Sequence, residues 1–221
     1  MDRTELESFM DNLYEIGCVK FGEFYLSTGL KTPVYFDLRL IVSHPKVLQQ
    51  AGRLIKQIIE QNNINFDIIC GVPYGAFAVA TSLSIQTNKP MVFKRKEIKD
   101  YGCKKMVEGV YKAGDSCLLI EDVVVYGTSI NETSQTLREY KLNVTHAISI
   151  LDREQGGCQL VQDNQINFYS ILKASDILKH LVNRGKISQA KMDETIDFLN
   201  KNVFKASQSS ISFTKPVVNE L

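Results

Sequence analysis

The sequence predicts an α/β protein built on a mostly parallel sheet with helices on both faces. Three observations carry that prediction. Runs with strand character alternate along the chain with stretches of helical period. The runs at 66–72 and 117–120 are mainly apolar, as strands covered on both sides must be, rather than alternating apolar and polar. Finally, the run at 117–121 leads through Glu121 and Asp122 to Gly127-Thr128-Ser129 and then to a helical pattern, a strand–turn–helix unit of the kind parallel sheets use.

Taken in order, Leu6, Phe9, Met10, Leu13 and Ile16 recur at helical spacing, and Gly17 ends the pattern. Residues 19–26 and 33–38 form strands joined by a Ser27-Thr28-Gly29 turn. Ser43-His44-Pro45 starts a helix whose apolar face is Val47, Leu48, Ala51, Leu54, Ile55 and Ile58. A strand at 66–72, a helix at 75–87 and a strand from Pro90 follow. Residues 96–106 are charged and without period, hence a loop. Strands are expected at 107–112 and 116–121, a helix at about 127–141, and strands at 143–151 and 166–171. Ser175 is placed as the cap of a helix ending near Gly185, and Met192, Ile196 and Leu199 mark a last helix. The Ser-rich segment 204–221 lacks periodicity and is expected to lie outside the core, as a tail or the start of a linker. Residues 1–203 then make one domain, which suits a chain of 221 residues.

Composition narrows the function. With 44% apolar residues the chain has material for a sizeable core, and a net charge of +1 supplies no global field to recruit nucleic acid or anionic membrane. No run of eighteen apolar residues occurs, and the acidic, polar start "MDRTELESFM" is unlike a signal peptide. Five cysteines, Cys18, Cys70, Cys103, Cys117 and Cys158, form no Cys-x-x-Cys pair. They point to a reducing, cytoplasmic setting without disulfides or structural zinc, with Cys103 in a polar loop. His44, His146 and His180 have neither metal-site nor triad spacing.

The chemistry concentrates in "CLLIEDVVVYGTSINET". A turn entering a helix offers backbone N–H groups and the positive end of the helix dipole to an anion. Carboxylates at the strand end suit vicinal hydroxyls, because ionised carboxylates only accept hydrogen bonds. A ribose 5-phosphate presents both groups at that spacing. The Gly-x-x-x-x-Gly-Lys pattern of nucleoside triphosphate sites is absent. The same acidic pair also suits a helix cap or a solvated strand edge. Ligands of such sheets bind beyond the strand carboxyl ends, where residues 74, 95 and 121 all fall.

Around this unit stand, in order, "FGEFYLSTGLKTPVYFDLRLIVSHP", "FDIICGVPYGA", "KRKEIKDYGCKKMVEG" and "SILDREQGG". With them the chain, over roughly residues 4–200, closely resembles the orotate phosphoribosyltransferases, particularly the form that makes up the N-terminal half of animal uridine monophosphate synthase. The resemblance implies a type I phosphoribosyltransferase fold: a parallel sheet, flanking helices and a small hood. It also implies transfer of phosphoribosyl from phosphoribosyl pyrophosphate to orotate, giving orotidine 5′-monophosphate and pyrophosphate in pyrimidine synthesis. By the same resemblance Lys99 and Asp122 are catalytic, Arg95, Lys96 and Tyr101 contact pyrophosphate, and Arg153 takes the orotate carboxylate. Tyr35 and Phe36 line the pyrimidine pocket, Tyr74 contacts substrate, and Glu121, Gly127, Thr128 and Ser129 hold ribose and 5′-phosphate. Mg2+ is expected, held mainly by substrate oxygens, and the chain is expected to be a homodimer whose loop 96–106 reaches the neighbouring site. Without the resemblance, the basic loop is equally a solvated patch, Arg153 a surface arginine, Tyr35 and Phe36 core packing with one of the two facing inward, and Tyr74 a strand-end tyrosine.

Two departures stand out. Ser27 occupies a turn where the family usually has lysine, and Val125-Tyr126 replaces hydroxyl-bearing residues of the phosphate turn. Losing one hydrogen bond to a charged group costs roughly 1.5–3 kcal/mol. The alternative is therefore a catalytically weakened or inactive paralogue that binds nucleotide or a partner subunit. A different base is disfavoured, since neutral purines would leave Arg153 unpaired.

Overall fold

A computed structural model describes residues 2–25, 31–97 and 105–203. Helix α1 (Arg3–Glu15) is capped by the Asp2 carboxylate, which accepts the Thr4 N–H at 2.9 Å. Strands β1 (Val19–Tyr25) and β2 (Lys31–Phe36) pair antiparallel as a separate two-stranded sheet. Next come α2 (Pro45–Gln61), β3 (Ile68–Gly71), α3 (Phe77–Thr87), β4 (Met91–Lys94), β5 (Val107–Glu108) and β6 (Ser116–Val124). The chain continues through α4 (Thr128–Glu139), β7 (Asn143–Asp152), α5 (Gly157–Asp163), β8 (Asn167–Lys173), α6 (Ala174–Asn183) and α7 (Gln189–Lys201).

The main sheet has the order β5-β4-β3-β6-β7-β8, parallel throughout except for β5. Side-chain alternation on β6 shows why it is covered twice. Leu118 and Ile120 enter the core shared with α1, α2, α3, α6 and α7. Cys117 and Leu119 enter the opposite core, with Ile130 and Leu137 of α4 and Val161 of α5. Each fully buried Leu or Ile of this kind contributes about 1.5–3 kcal/mol. Alpha 7 packs on β2, so the last helix backs the small sheet. At the amino ends of β3 and β6 a clamp forms: Asp67 Oδ2 accepts the Ser116 N–H at 2.8 Å and the Ser116 hydroxyl at 2.6 Å, while the Asp67 N–H donates to the Ser116 carbonyl at 2.9 Å.

Several sequence expectations need correction. The strand expected over 107–112 is only Val107–Glu108, the antiparallel edge, and Gly109 at φ +112° ends it. Strand β6 does not stop at the acids but runs to Val124, because its pairing with β7 continues past them at Val123↔Leu151 and Val124↔Asp152. Ser175 is not a cap. It lies inside α6, and its N–H and hydroxyl both donate to the Glu154 carboxylate, at 2.8 and 3.1 Å. Alpha 5 and the 3₁₀ turn Leu38–Ser43 were not anticipated, being too short for periodicity to register. The Ser27-Thr28-Gly29 turn, Cys103 and the segment from 204 lie outside the described residues.

Candidate active site

The strand order reverses between β3 and β6: the chain leaves β3 for β4 on one side and later returns as β6 on the other. Such a switch point leaves a crevice at the carboxyl rim, where no crossover covers it. Four segments meet this rim: the loop 72–76 after β3, Arg95 and Lys96 after β4, the β6–α4 turn, and residues 153–156 after β7.

The first loop is drawn tightly toward β6. Gly75 leaves no room for a side chain: a Cβ there would stand 2.6 Å from Cγ of Asp122 and closer still to its Oδ2. Asp122 is half-buried, and its Oδ1 accepts the Val123 N–H at 2.8 Å, which fixes the carboxylate against the rim. Glu121 differs from its neighbour. It is 6% exposed and uses Oε1 to accept the Asp122 N–H at 3.0 Å. Burial, reinforced by the Asp122 charge, holds its carboxyl well above the usual carboxylate range. The expected pair of carboxylates is thus one accessible acid and one buried behind it.

The turn into α4 keeps its backbone donors available. Gly127, at φ +75°, is the N-cap residue and no side chain caps the helix. Thr128 is half-buried and Ser129 exposed. The turn is braced from behind by α5. A Cβ at Gly127 would meet the Gly157 carbonyl oxygen at 2.8 Å, and one at Gly157 would meet the Val125 carbonyl oxygen at 2.8 Å. The two glycines permit a backbone-to-backbone contact that positions the turn.

Arg153 begins the segment after β7. Its N–H donates to the Val124 carbonyl at 2.9 Å, and its guanidinium lies 5.6 Å from the Phe36 ring centroid. The side chain is 4% exposed, yet Nε and Nη2 have no hydrogen-bond partner among the described residues. Burial lowers its basicity, opposed by the nearby phenols of Tyr126 and Tyr35. Orphaned buried donors are rare and point to a missing acceptor. Phe36 is buried and Tyr35 half-buried, so it is Phe36 that faces inward, where it still touches the arginine. The Tyr35 hydroxyl accepts from Nη2 of Arg39 at 3.0 Å, and Arg39 Nε also donates to Asp37 at 2.7 Å. Arg39 escaped sequence reasoning; its only signal was a position two residues past an acid in "FDLR".

On the opposite side Lys96 Nζ sits 4.5 Å from the Tyr74 ring centroid, and Tyr74 packs edge-on against Phe77 at 5.7 Å. Arg95 does not point free into the crevice: its Nε donates to Glu108 of β5 at 2.7 Å. Lys99 and Tyr101 lie outside the described residues. Among the described residues no group of three or more His, Cys, Asp or Glu is arranged to hold a metal.

A doubly covered parallel sheet with a carboxylate at its switch point and an uncapped phosphate-type turn beside it defines the class of the phosphoribosyl transferases. A phosphoribosyl transferase domain model matches residues 39–170. Orotate phosphoribosyltransferase of Caenorhabditis elegans is 44% identical over 193 residues, covering 87% of this chain and 85% of that protein. Uridine 5′-monophosphate synthase of Bos taurus is 41% identical over 207 residues, 94% of this chain but 43% of its own length. Among solved structures, UMP synthase of Leishmania donovani superposes with a TM-score of 0.80 at 27% identity, covering 88% of this chain and 42% of that one. Orotate phosphoribosyltransferase of Aeropyrum pernix gives 0.68 at 26% identity, covering 78% and 98%. The chain belongs to the orotate phosphoribosyltransferase family.

Proposed function

We propose that this chain joins N1 of orotate to C1 of phosphoribosyl pyrophosphate in the β3/β6 crevice, forming orotidine 5′-monophosphate and releasing pyrophosphate. The observation that carries the reading is Arg153, a buried guanidinium with two idle donors beside an aromatic ring. A planar anion with a carboxylate answers both features: the fork takes the carboxylate and Phe36 with Tyr35 flanks the ring.

Orotate brings its own nucleophilic nitrogen, so the protein's task is placement and charge stabilisation. In this reading Asp122 accepts the ribose hydroxyls, the α4 turn with Gly127, Thr128 and Ser129 holds the 5′-phosphate, and Glu121 supports Asp122 from behind. The loop 72–76 with Tyr74, together with Lys96, Lys99 and Tyr101, receives the departing pyrophosphate. Arg95 joins them by exchanging its Glu108 partner or by holding the loop edge through it. Mg2+ would shield the pyrophosphate charge; the donor set suits an ion held mainly by substrate oxygens, with Asp122 as the available half-buried carboxylate.

A pair of copies is the proposed working form. Phe77, Thr81 and Ile85 make one stripe of α3, Thr81 and Ile85 are exposed, and Tyr74 and Phe93 extend the stripe as exposed rings beside the crevice. That placement supports a loop 96–106 shared between neighbouring sites. A cytoplasmic setting is supported by four described cysteines that are all free, and no described helix is long and apolar enough to cross a membrane.

The test is pyrophosphate-dependent loss of orotidine 5′-monophosphate, run beside uridine and purine monophosphates. Consumption restricted to the carboxylated nucleotide is expected; equal consumption of uridine monophosphate would remove Arg153 from the base site, and no consumption would favour the inactive paralogue.

A further inference from the structure

The segment that carries Arg153 is held by more than its strand. The Arg153 N–H is tied to Val124, and the next residue, Glu154, adopts φ +60°, a left-handed conformation that side-chain-bearing residues other than Asn and Asp seldom take. The Glu154 N–H donates to Asp152 Oδ1 at 2.8 Å, and its carboxylate reaches away from the crevice to the first turn of α6. There one oxygen accepts the Ser175 N–H at 2.8 Å and the other the Ser175 hydroxyl at 3.1 Å. Alpha 6 is a firm anchor, since Ile177, Leu178 and Leu181 are buried to within rounding of complete. A carboxylate before a helix N-terminus is also favoured by the helix dipole. One residue further, Gln155 is fully buried and donates from Nε2 to the Asn202 carbonyl, 3.0 Å away at the end of α7.

We propose that Glu154, which does not face the crevice, is the positioning residue that sets Arg153 over Phe36 and so makes the site selective for a carboxylated pyrimidine. This rests on reading Arg153 as the orotate carboxylate residue. The physical reason is that Nε and Nη2 of this buried guanidinium have no hydrogen-bond partner among the described residues to aim them, so its placement before substrate arrives leans on its backbone. A left-handed residue immediately after it holds that backbone only while something outside the turn compensates the cost. The bidentate tie to Ser175 is that compensation, with Gln155 as a second peg on α7.

The choice of variants separates backbone strain from the loss of the tie. Glu154→Gly accepts φ +60° without strain but removes the tie. Glu154→Gln retains an acceptor for the Ser175 N–H and a donor for its hydroxyl. Steady-state constants for both substrates and calorimetric orotate affinity are measured for each, beside Arg153→Ala. The expectation is an orotate KM and dissociation constant raised about tenfold in Glu154→Gly, about 1.4 kcal/mol. The KM for phosphoribosyl pyrophosphate stays within about twofold and Glu154→Gln restores orotate binding to within about threefold. Equal weakening of both substrates in Glu154→Gly makes Glu154 merely structural and overturns the proposal, as does an unchanged orotate affinity while Arg153→Ala is impaired. If Arg153→Ala itself leaves orotate binding unchanged, the reading of the base site falls, and this proposal with it.

Discussion

Adding one methyl group at Gly75 should disable the site while leaving the fold in place. The Cβ of Gly75→Ala would stand 2.6 Å from Cγ of Asp122, against an ordinary contact of at least 3.4 Å. The carboxylate must therefore withdraw by about 0.8 Å at Cγ, and further at the oxygen that faces the loop. It cannot do so freely, since Oδ1 is fixed by the Val123 N–H at 2.8 Å and the backbone is paired in β6. The backbone of residue 75 is not in the left-handed region, so alanine brings no conformational strain of its own. A misplacement near 1 Å of a group that orients the reacting sugar costs on the order of 100-fold, about 2.7 kcal/mol of activation free energy. We expect kcat/KM for phosphoribosyl pyrophosphate to fall about 100-fold in a spectrophotometric assay of orotate consumption. The melting temperature should move by no more than about 4 °C, the shift expected for roughly 1 kcal/mol in a chain of this size. Activity within threefold of the parent would show that Asp122 does not work where the loop and β6 meet.

Replacing Arg153 by Met should lower orotate affinity by more than about 100-fold, as two charge-assisted hydrogen bonds of about 1.5–3 kcal/mol each are lost. The same variant should raise ligand-free stability by about 2 kcal/mol, because a desolvated unpaired charge is exchanged for an apolar side chain; a lower melting temperature would contradict the idle guanidinium. Glu121→Gln should change the pH dependence of stability. The folded protein holds the Glu121 proton above its ordinary value of 4.5, so this group's contribution is complete below pH 4.5 and is lost as pH rises through the folded value. Denaturant titrations from pH 4.5 to 8 should show the glutamine variant gaining on the parent as pH rises; parallel curves would mean that Glu121 is not buried in solution. Returning a hydroxyl with Val125→Thr and removing bulk with Tyr126→Ser should tighten phosphoribosyl pyrophosphate about tenfold. Calorimetry with phosphoribosyl pyrophosphate decides, and no gain would remove this turn from the 5′-phosphate site.

The elements that sequence made legible were those whose burial is periodic. Alpha 2, with Val47, Ala51, Leu54, Ile55 and Ile58 buried, and the apolar strands β3, β6 and β7 follow from hydrophobic spacing alone. Local composition was blind to what depends on a distant partner. That Ser175 meets Glu154, 21 residues earlier, and that α5 packs against the turn into α4 are tertiary facts. The acids show the same limit. Glu121 and Asp122 are chemically alike and adjacent, but the fold buries the first and leaves the second half-buried, so only one stays accessible. Arg153 was legible by type and position, but its burial, which is what makes it informative, came only with the fold.

The Asp67–Ser116 clamp has a consequence for how the molecule moves. Strands β3 and β6 are stapled by the Asp67–Ser116 hydrogen bonds at their amino ends, and their ladder finishes at the other end with the Val72 N–H on the Ile120 carbonyl. Beyond that point the chain leaves β3 as the loop 72–76, while β6 continues to Val124 paired with β7. Tied at both ends, the pair can neither slip nor fan over its paired length. The floor of the crevice is thereby a fixed reference, and any adjustment to a ligand falls to the loops at its rim.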